Sequence, residues 1–183
     1  ATDIVRAVTS AEHDPAARTR QYGVVTLHDD GPVTTGFSGD GISLWSGRSD
    51  SVAHAVTVQG NFLHADAVVH NALQAFVTAQ GDGVVLSDRL LRALEAGSAA
   101  GGDRRCNDNG VTQTNMTAFI SVARAGQPPF AARDLGDGAT DHTEYPWLHL
   151  AVTEDEHGAN PLVELRRQYD AWRAENLPAC PTC

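Results

Sequence analysis

Residues 52–76, VAHAVTVQGNFLHADAVVHNALQAF, hold a change of period that decides the fold class. Val52, His54, Val56 and Val58 alternate with small residues, the signature of a half-buried strand. From Ala65 onward the apolar residues Ala65, Val68, Val69, Ala72, Leu73 and Phe76 fall at helical intervals and make a full stripe. A strand that runs straight into an amphipathic helix predicts a helix laid on a sheet.

Working outward, the same two periods recur. Ile4, Val5 and Val8 have helical spacing but are too few for a complete amphipathic helix, so residues 2–10 read as the end of one. Tyr22, Val24, Val25 and Leu27 mark a strand, Asp29-Asp30-Gly31-Pro32 a turn, and Val33 to Phe37 a returning strand. Gly36, Gly39, Gly41 and Gly47 suggest a loop around Trp45. Beyond the central helix comes a Gly81-Asp82-Gly83 break. Leu86, Leu90, Leu91 and Leu94 then predict a second helix, with Gly97 as its stop. Thr117 to Ala123 and Trp147 to Val152 read as strands, and residues 125–144 as a loop rich in Gly, Pro, Asp and Ala. Asn160 and Pro161 are a good N-cap and first-turn pair for a last helix carrying Leu162, Leu165, Tyr169 and Trp172. No linker or repeat divides the chain, so a single domain over 1–183 is expected, with 1–19 as the remnant of a first helix and 174–183 as a cysteine-bearing tail.

The chain has 183 residues, is 42% hydrophobic and 20% charged, and carries a formal charge of −10. This composition belongs to a folded, globular chain. All 13 basic residues are Arg, against 23 acidic ones. Such an excess of negative charge would repel a phosphate backbone, which argues against nucleic acid and against an anionic membrane surface. No apolar run reaches the roughly 18 residues of a membrane span.

Three cysteines stand at 106, 180 and 183. A redox CxxC ordinarily opens a helix that lowers its thiol pKa, and no such helix is expected here. A disulfide within the tail or from the tail to Cys106 is the expected use, with a partial metal site as the alternative. A disulfide implies an oxidising, extracytoplasmic compartment.

Three constellations could carry chemistry. In the first, Gln59, Gly60 and Asn61 leave the end of a strand, where amide side chains beside a glycine can hold a ligand or an oxyanion. Its alternative is a turn in which Asn61 caps the following helix. The second is Gly101-Gly102-Asp103-Arg104-Arg105, where an aspartate among arginines can steady a guanidinium for bidentate carboxylate binding. Its alternative is a solvated loop ion pair. The third is His64, Asp66 and His70, which have metal-ligand spacing but lack the glutamate and third ligand of a zinc protease motif. Surface histidines explain them as well. No nucleophile elbow, phosphate loop or dinucleotide fingerprint is present, and no cofactor is implied.

Arg20-Gln21-Tyr22-Gly23-Val24-Val25, then Val58-Gln59-Gly60-Asn61-Phe62-Leu63, then residues 86–97 (LSDRLLRALEAG) running into Gly101-Gly102-Asp103-Arg104-Arg105, and finally Asn160-Pro161-Leu162-Val163-Glu164-Leu165-Arg166-Arg167 form an ordered set. This set resembles the domain-of-unknown-function 1028 proteins over most of residues 20–173. The resemblance implies a bacterial or archaeal, often exported protein grouped with the N-terminal-nucleophile hydrolases. The implied fold class is α+β, an αββα sandwich in four layers. Against that pattern the sequence seen here starts inside the helix that follows the family's first two strands. Ala1 offers no nucleophilic atom, whereas such hydrolases use a terminal Thr, Ser or Cys. Two expectations follow from the resemblance. One is an amide-bond hydrolase domain or subunit whose nucleophile-bearing segment lies elsewhere; the other is an exported, non-catalytic binding or assembly module that keeps the fold. Both carry a homo-oligomer or companion chain as partner, and a small carboxylate or amide as ligand.

Overall fold

In a computed structural model the described residues are 1–42, 45–107, 115–126, 147–153 and 160–177. They form two compact units, Ala1–Asn115 and Met116–Cys183. The architecture is α+β throughout, with antiparallel strand pairs and helices.

The first unit contains α1 (Thr2–Val8), β1 (Gln21–His28), β2 (Gly31–Ser38), β3 (Trp45–Ser51), β4 (Val56–Leu63), α2 (Ala67–Gly81), α3 (Leu86–Ala99) and a single turn of helix, α4 (Arg104–Asn107). β1 pairs with β2 and β3 with β4, both antiparallel. β4 has two chemically different faces. Val56 and Val58 face a core formed with Ala72, Leu73 and Phe76 of α2 and Leu90 and Ala93 of α3. Burial of each large side chain there stabilises the fold by about 1.5–3 kcal/mol.

The opposite face carries Gln59 and turns toward the β1–β2 hairpin. Gly23 and Gly36 are cross-strand partners in that hairpin, and Arg48 and Gln59 are partners in the other. A Cβ on Gly23 would lie 2.2 Å from Gln59 Oε1, and one on Gly36 2.7 Å from an Arg48 guanidinium nitrogen. The glycine pair therefore makes the hollow that receives the Arg48–Gln59 pair. Thr34 Oγ1 donates to Asp50 Oδ2 at 2.8 Å and so joins the two hairpins, while Asp50 Oδ1 pairs with Arg48 Nε at 3.2 Å within β3. α1 packs against β1 and β2, and α2 against β3 and β4.

Several sequence expectations need correction here. Val52 and His54 lie in a 3₁₀ turn, Val52–His54, and β4 begins only at Val56. The strand that precedes it, β3, occupies the region read as a glycine loop. Its sequence, WSGRSDS, looks like a loop because the side chains it turns to the other hairpin, Arg48 and Asp50, are charged. α3 runs through Gly97 to Ala99, and Gly101 and Gly102 supply the left-handed turn at φ 111° and 53°. Asn61 does not cap α2: it lies inside β4, and the N-cap position belongs to Asp66.

The second unit contains β5 (Thr117–Val122), β6 (Leu148–Thr153) and α5 (Pro161–Asn176). β5 and β6 pair antiparallel, and α5 packs on both. Among its described residues, Ala118, Ile120, Val122, Leu148, Leu162, Leu165 and Tyr169 are buried. Asn160 starts α5 as expected: its Oδ1 accepts from Leu162 N at 3.0 Å, with Pro161 in the first turn. Most of the 125–144 loop lies outside the described residues, as do Cys180 and Cys183. The expected disulfide therefore has no counterpart among the described residues.

Candidate functional site

The site residues sit where β4 ends. Gln59 and Asn61 share its hairpin-facing side. Gln59 Oε1 accepts from Thr57 Oγ1 at 3.0 Å, and Asn61 Nδ2 donates to Gln21 Oε1 at 3.4 Å. Gln21 Nε2 in turn reaches Ser38 Oγ at 2.8 Å, Gly47 O at 3.1 Å and Gly60 O at 3.0 Å. One primary amide thus touches β2, β3 and β4 from its place at the start of β1. In the sequence Gln21 carries a family pattern and no other signal. Its role is invisible until the pairing of both hairpins is known.

Between Gly60 and Leu63 the strand carries an irregularity. Gly47 is opposite Gly60 and Trp45 opposite Leu63, so two steps on β3 face three on β4. The extra residue makes a β-bulge, a feature that bends a strand and re-aims its side chains. Phe62 takes the strain, with φ of 55°. A bulky aromatic residue in the left-handed region is a true outlier.

The second constellation adjoins this bulge. Leu63 forms an antiparallel bridge with Asp103, and His64 N donates to Gly102 O at 3.0 Å. A Cβ on Gly101 would stand 2.8 Å from His64 Cβ, so the close approach requires glycine there. α4 then presents Arg105 over Phe62, with the guanidinium carbon 4.1 Å from the ring centroid. Arg105 Nε donates to Asp103 Oδ1 at 3.0 Å and Oδ2 at 3.2 Å, Nη2 pairs with Oδ2, and Arg105 N donates to Oδ1 at 2.9 Å. Burial alone would raise the Asp103 carboxyl. The bonds and charge of Arg105 outweigh it and hold the group below the ordinary carboxylate value. The same bonds raise the Arg105 guanidinium further, so the pair is ionised at every physiological pH.

The guanidinium has one edge on Asp103, one face on Phe62, and its Nη1 without a partner among the described residues. A carboxylate or an amide carbonyl could accept from that open edge. Arg104 is exposed at the start of α4. Cys106 follows Arg105 and is half-buried.

His64, Asp66 and His70 do not form a ligand set. His70 Nδ1 is 3.9 Å from Asp66 Oδ2, and both side chains are exposed. No three His, Cys, Asp or Glu side chains are grouped to hold a metal ion among the described residues. His64 serves the site through its backbone N–H. The left-handed conformation of Phe62 has no signal in the sequence.

A crystal structure of protein SPO2555 from Silicibacter pomeroyi, itself assigned to DUF1028, superposes with a TM-score of 0.60 at 20% identity. The alignment covers 94% of this chain and 59% of that one, so the chain spans about three-fifths of its relative's length. This likeness is one of fold. No curated protein matches the chain. The family of unknown function DUF1028 matches residues 1–165, nine-tenths of the sequence and the whole of the β4–α4 corner. The chain belongs to the DUF1028 family.

Proposed function

We propose that this chain is the ligand-holding part of an amide-bond hydrolase domain of the N-terminal-nucleophile type, taking a small carboxylate or amide at the β4–α4 corner. In this reading α1, the β1–β2 hairpin, the β3–β4 hairpin and the α2–α3 pair belong to the successive layers of an αββα sandwich. The packing of α1 on one hairpin and α2 on the other supports it. The single observation that carries the ligand assignment is the Arg105 guanidinium, fixed by Asp103 and Phe62 with one edge open. Gln21, Gln59 and Asn61 supply further amide donors and acceptors on the hairpins that end at this corner. The nucleophile is carried by residues other than these.

A second reading is favoured by the same corner: amides, a guanidinium, a carboxylate and a ring are binding groups. It makes the chain an exported binding or assembly module on the hydrolase fold, associated with a second copy or a companion chain. Calorimetry of the purified chain with acetate and acetamide tests both readings at once. Binding is expected in the wild type and lost in Arg105→Ala, with the circular dichroism unchanged. An Arg105→Ala variant that binds equally well overturns the assignment. N-acyl amides separate the two readings once a segment supplying the nucleophile is present with the chain: release of free amine then supports the hydrolase, and binding without release supports the module.

A further inference from the structure

We propose that Phe62 is the positioning residue of this site: the bulge in β4 turns its ring under Arg105 and so fixes the guanidinium edge presented to ligand. The inference rests on the ligand reading above and adds the element that makes it specific.

Three observations meet at this residue. First, the bulge adds one residue between Gly60 and Leu63, which breaks the alternation of β4. Without it, successive side chains would continue to opposite faces of the sheet. Second, the conformation that the bulge demands at φ 55° suits glycine, yet a phenylalanine occupies it. A backbone strained in this way persists only where surrounding contacts over-determine it, and such positions gather at functional sites. Third, the contacts that hold it are those of the site. Arg105 lies 4.1 Å above the ring, while Leu63 bridges Asp103 immediately after it.

Asp103 alone would leave Arg105 free to rotate its plane about the shared edge. A ring face beneath the guanidinium removes that freedom, because the cation is drawn to the ring's negative face. The plane is then set by two partners, and Nη1 is carried to one place. Asn61, the preceding residue, meets Gln21 from the same bulge, so the amide pair and the guanidinium are positioned by one distortion.

Two variants separate positioning from mere packing. Phe62→Gly suits the left-handed backbone and removes the ring, so the bulge is kept. Phe62→Tyr keeps the ring face. The first readout needs no ligand: hydrogen exchange of the Arg105 Nε–H, followed by NMR. We expect faster exchange in Phe62→Gly, and wild-type exchange in Phe62→Tyr. The second readout is acetate affinity, expected to fall by about three- to tenfold in Phe62→Gly and to hold in Phe62→Tyr. Wild-type exchange at Arg105 in Phe62→Gly overturns the proposal, as does rapid exchange in both variants. If wild-type protein binds no acetate or acetamide, the ligand reading falls, and the exchange measurement still decides whether Phe62 positions Arg105.

Discussion

Two arginine–carboxylate forks in this molecule share their chemistry and differ in their backing. Asp103 and Arg105 form one at the β4–α4 corner. Glu164 and Arg167 form the other in the opening turns of α5, with Arg167 Nε and Nη2 donating at 2.7 and 2.6 Å. Solvent hardly tells their arginines apart, with side chains 60% and 71% exposed. Acidity points the wrong way, since Glu164 is held down to about 2, chiefly by its bonds from Arg167 and Gln168. The difference lies in what each fork stands on. Glu164 and Arg167 project from one helix and move with their own rotamers, as surface pairs do. Asp103 is tied to a strand by a backbone bridge, and a ring lies under its partner. A perturbed carboxyl is therefore a weak guide to a site unless the groups around it are fixed.

The backing of the first fork offers the largest way to break this contrast. Gly101 has φ of 111°, and a Cβ there meets His64 Cβ at 2.8 Å. Gly101→Ala should destabilise the chain by about 1–3 kcal/mol through backbone strain, and by somewhat more through the clash. It should also loosen the Arg105 Nε–H. Urea unfolding reads the first effect. A midpoint equal to wild type would show that the corner yields without cost and that the fork stands on nothing special.

The residues that build the two forks were legible to different degrees. Apolar periodicity revealed α2, α3 and α5, because one face of each is buried and the other solvated. The Asn160-Pro161 start of α5 was readable because a cap is a local device. The β1–β2 hairpin was readable from its turn, with Asp29 and Asp30 between His28 and Gly31. β3 was not, since a strand whose buried partners are polar loses the alternation on which strand reading depends. Asp103 and Arg105 could be singled out as residue types. Their neighbour Phe62 could not, because the bulge exists only once β3 and β4 are paired. Gln21 was hidden for the same reason: its acceptors lie on three different strands. Local chemistry was visible in the sequence, and the geometry that gives it meaning is long-range.

The second fork depends on the start of its helix. Asn160→Ala removes the acceptor for Leu162 N and should cost about 1 kcal/mol, the usual worth of an N-cap. The unfolding midpoint measures it. The Arg105 Nε–H exchange should be unchanged, which sharpens the contrast. A coupled change at Arg105 would mean that the two forks are not independent.

The smallest effect is that of the second fork's own charge, and its sign with pH is fixed. Glu164 ionises near 2 in the folded chain and at its ordinary 4.5 when unfolded. The unfolded state therefore binds the proton more readily, and the fork contributes stability fully above pH 4.5. That contribution fades as pH falls from 4.5 and is gone once the folded group is protonated near pH 2. In Glu164→Gln the difference from wild type should be small at pH 7 and vanish across that window, as measured by urea midpoints at a series of pH values. Asp103→Asn should follow the same direction, because its folded carboxyl is also held below its ordinary value. The amide oxygen of Asn can still accept the Arg105 backbone N–H that joins α4 to the corner, so this difference too should fade toward acid. A Glu164→Gln difference that grows toward acid would mean that the surface fork, too, has backing that its position on one helix does not reveal.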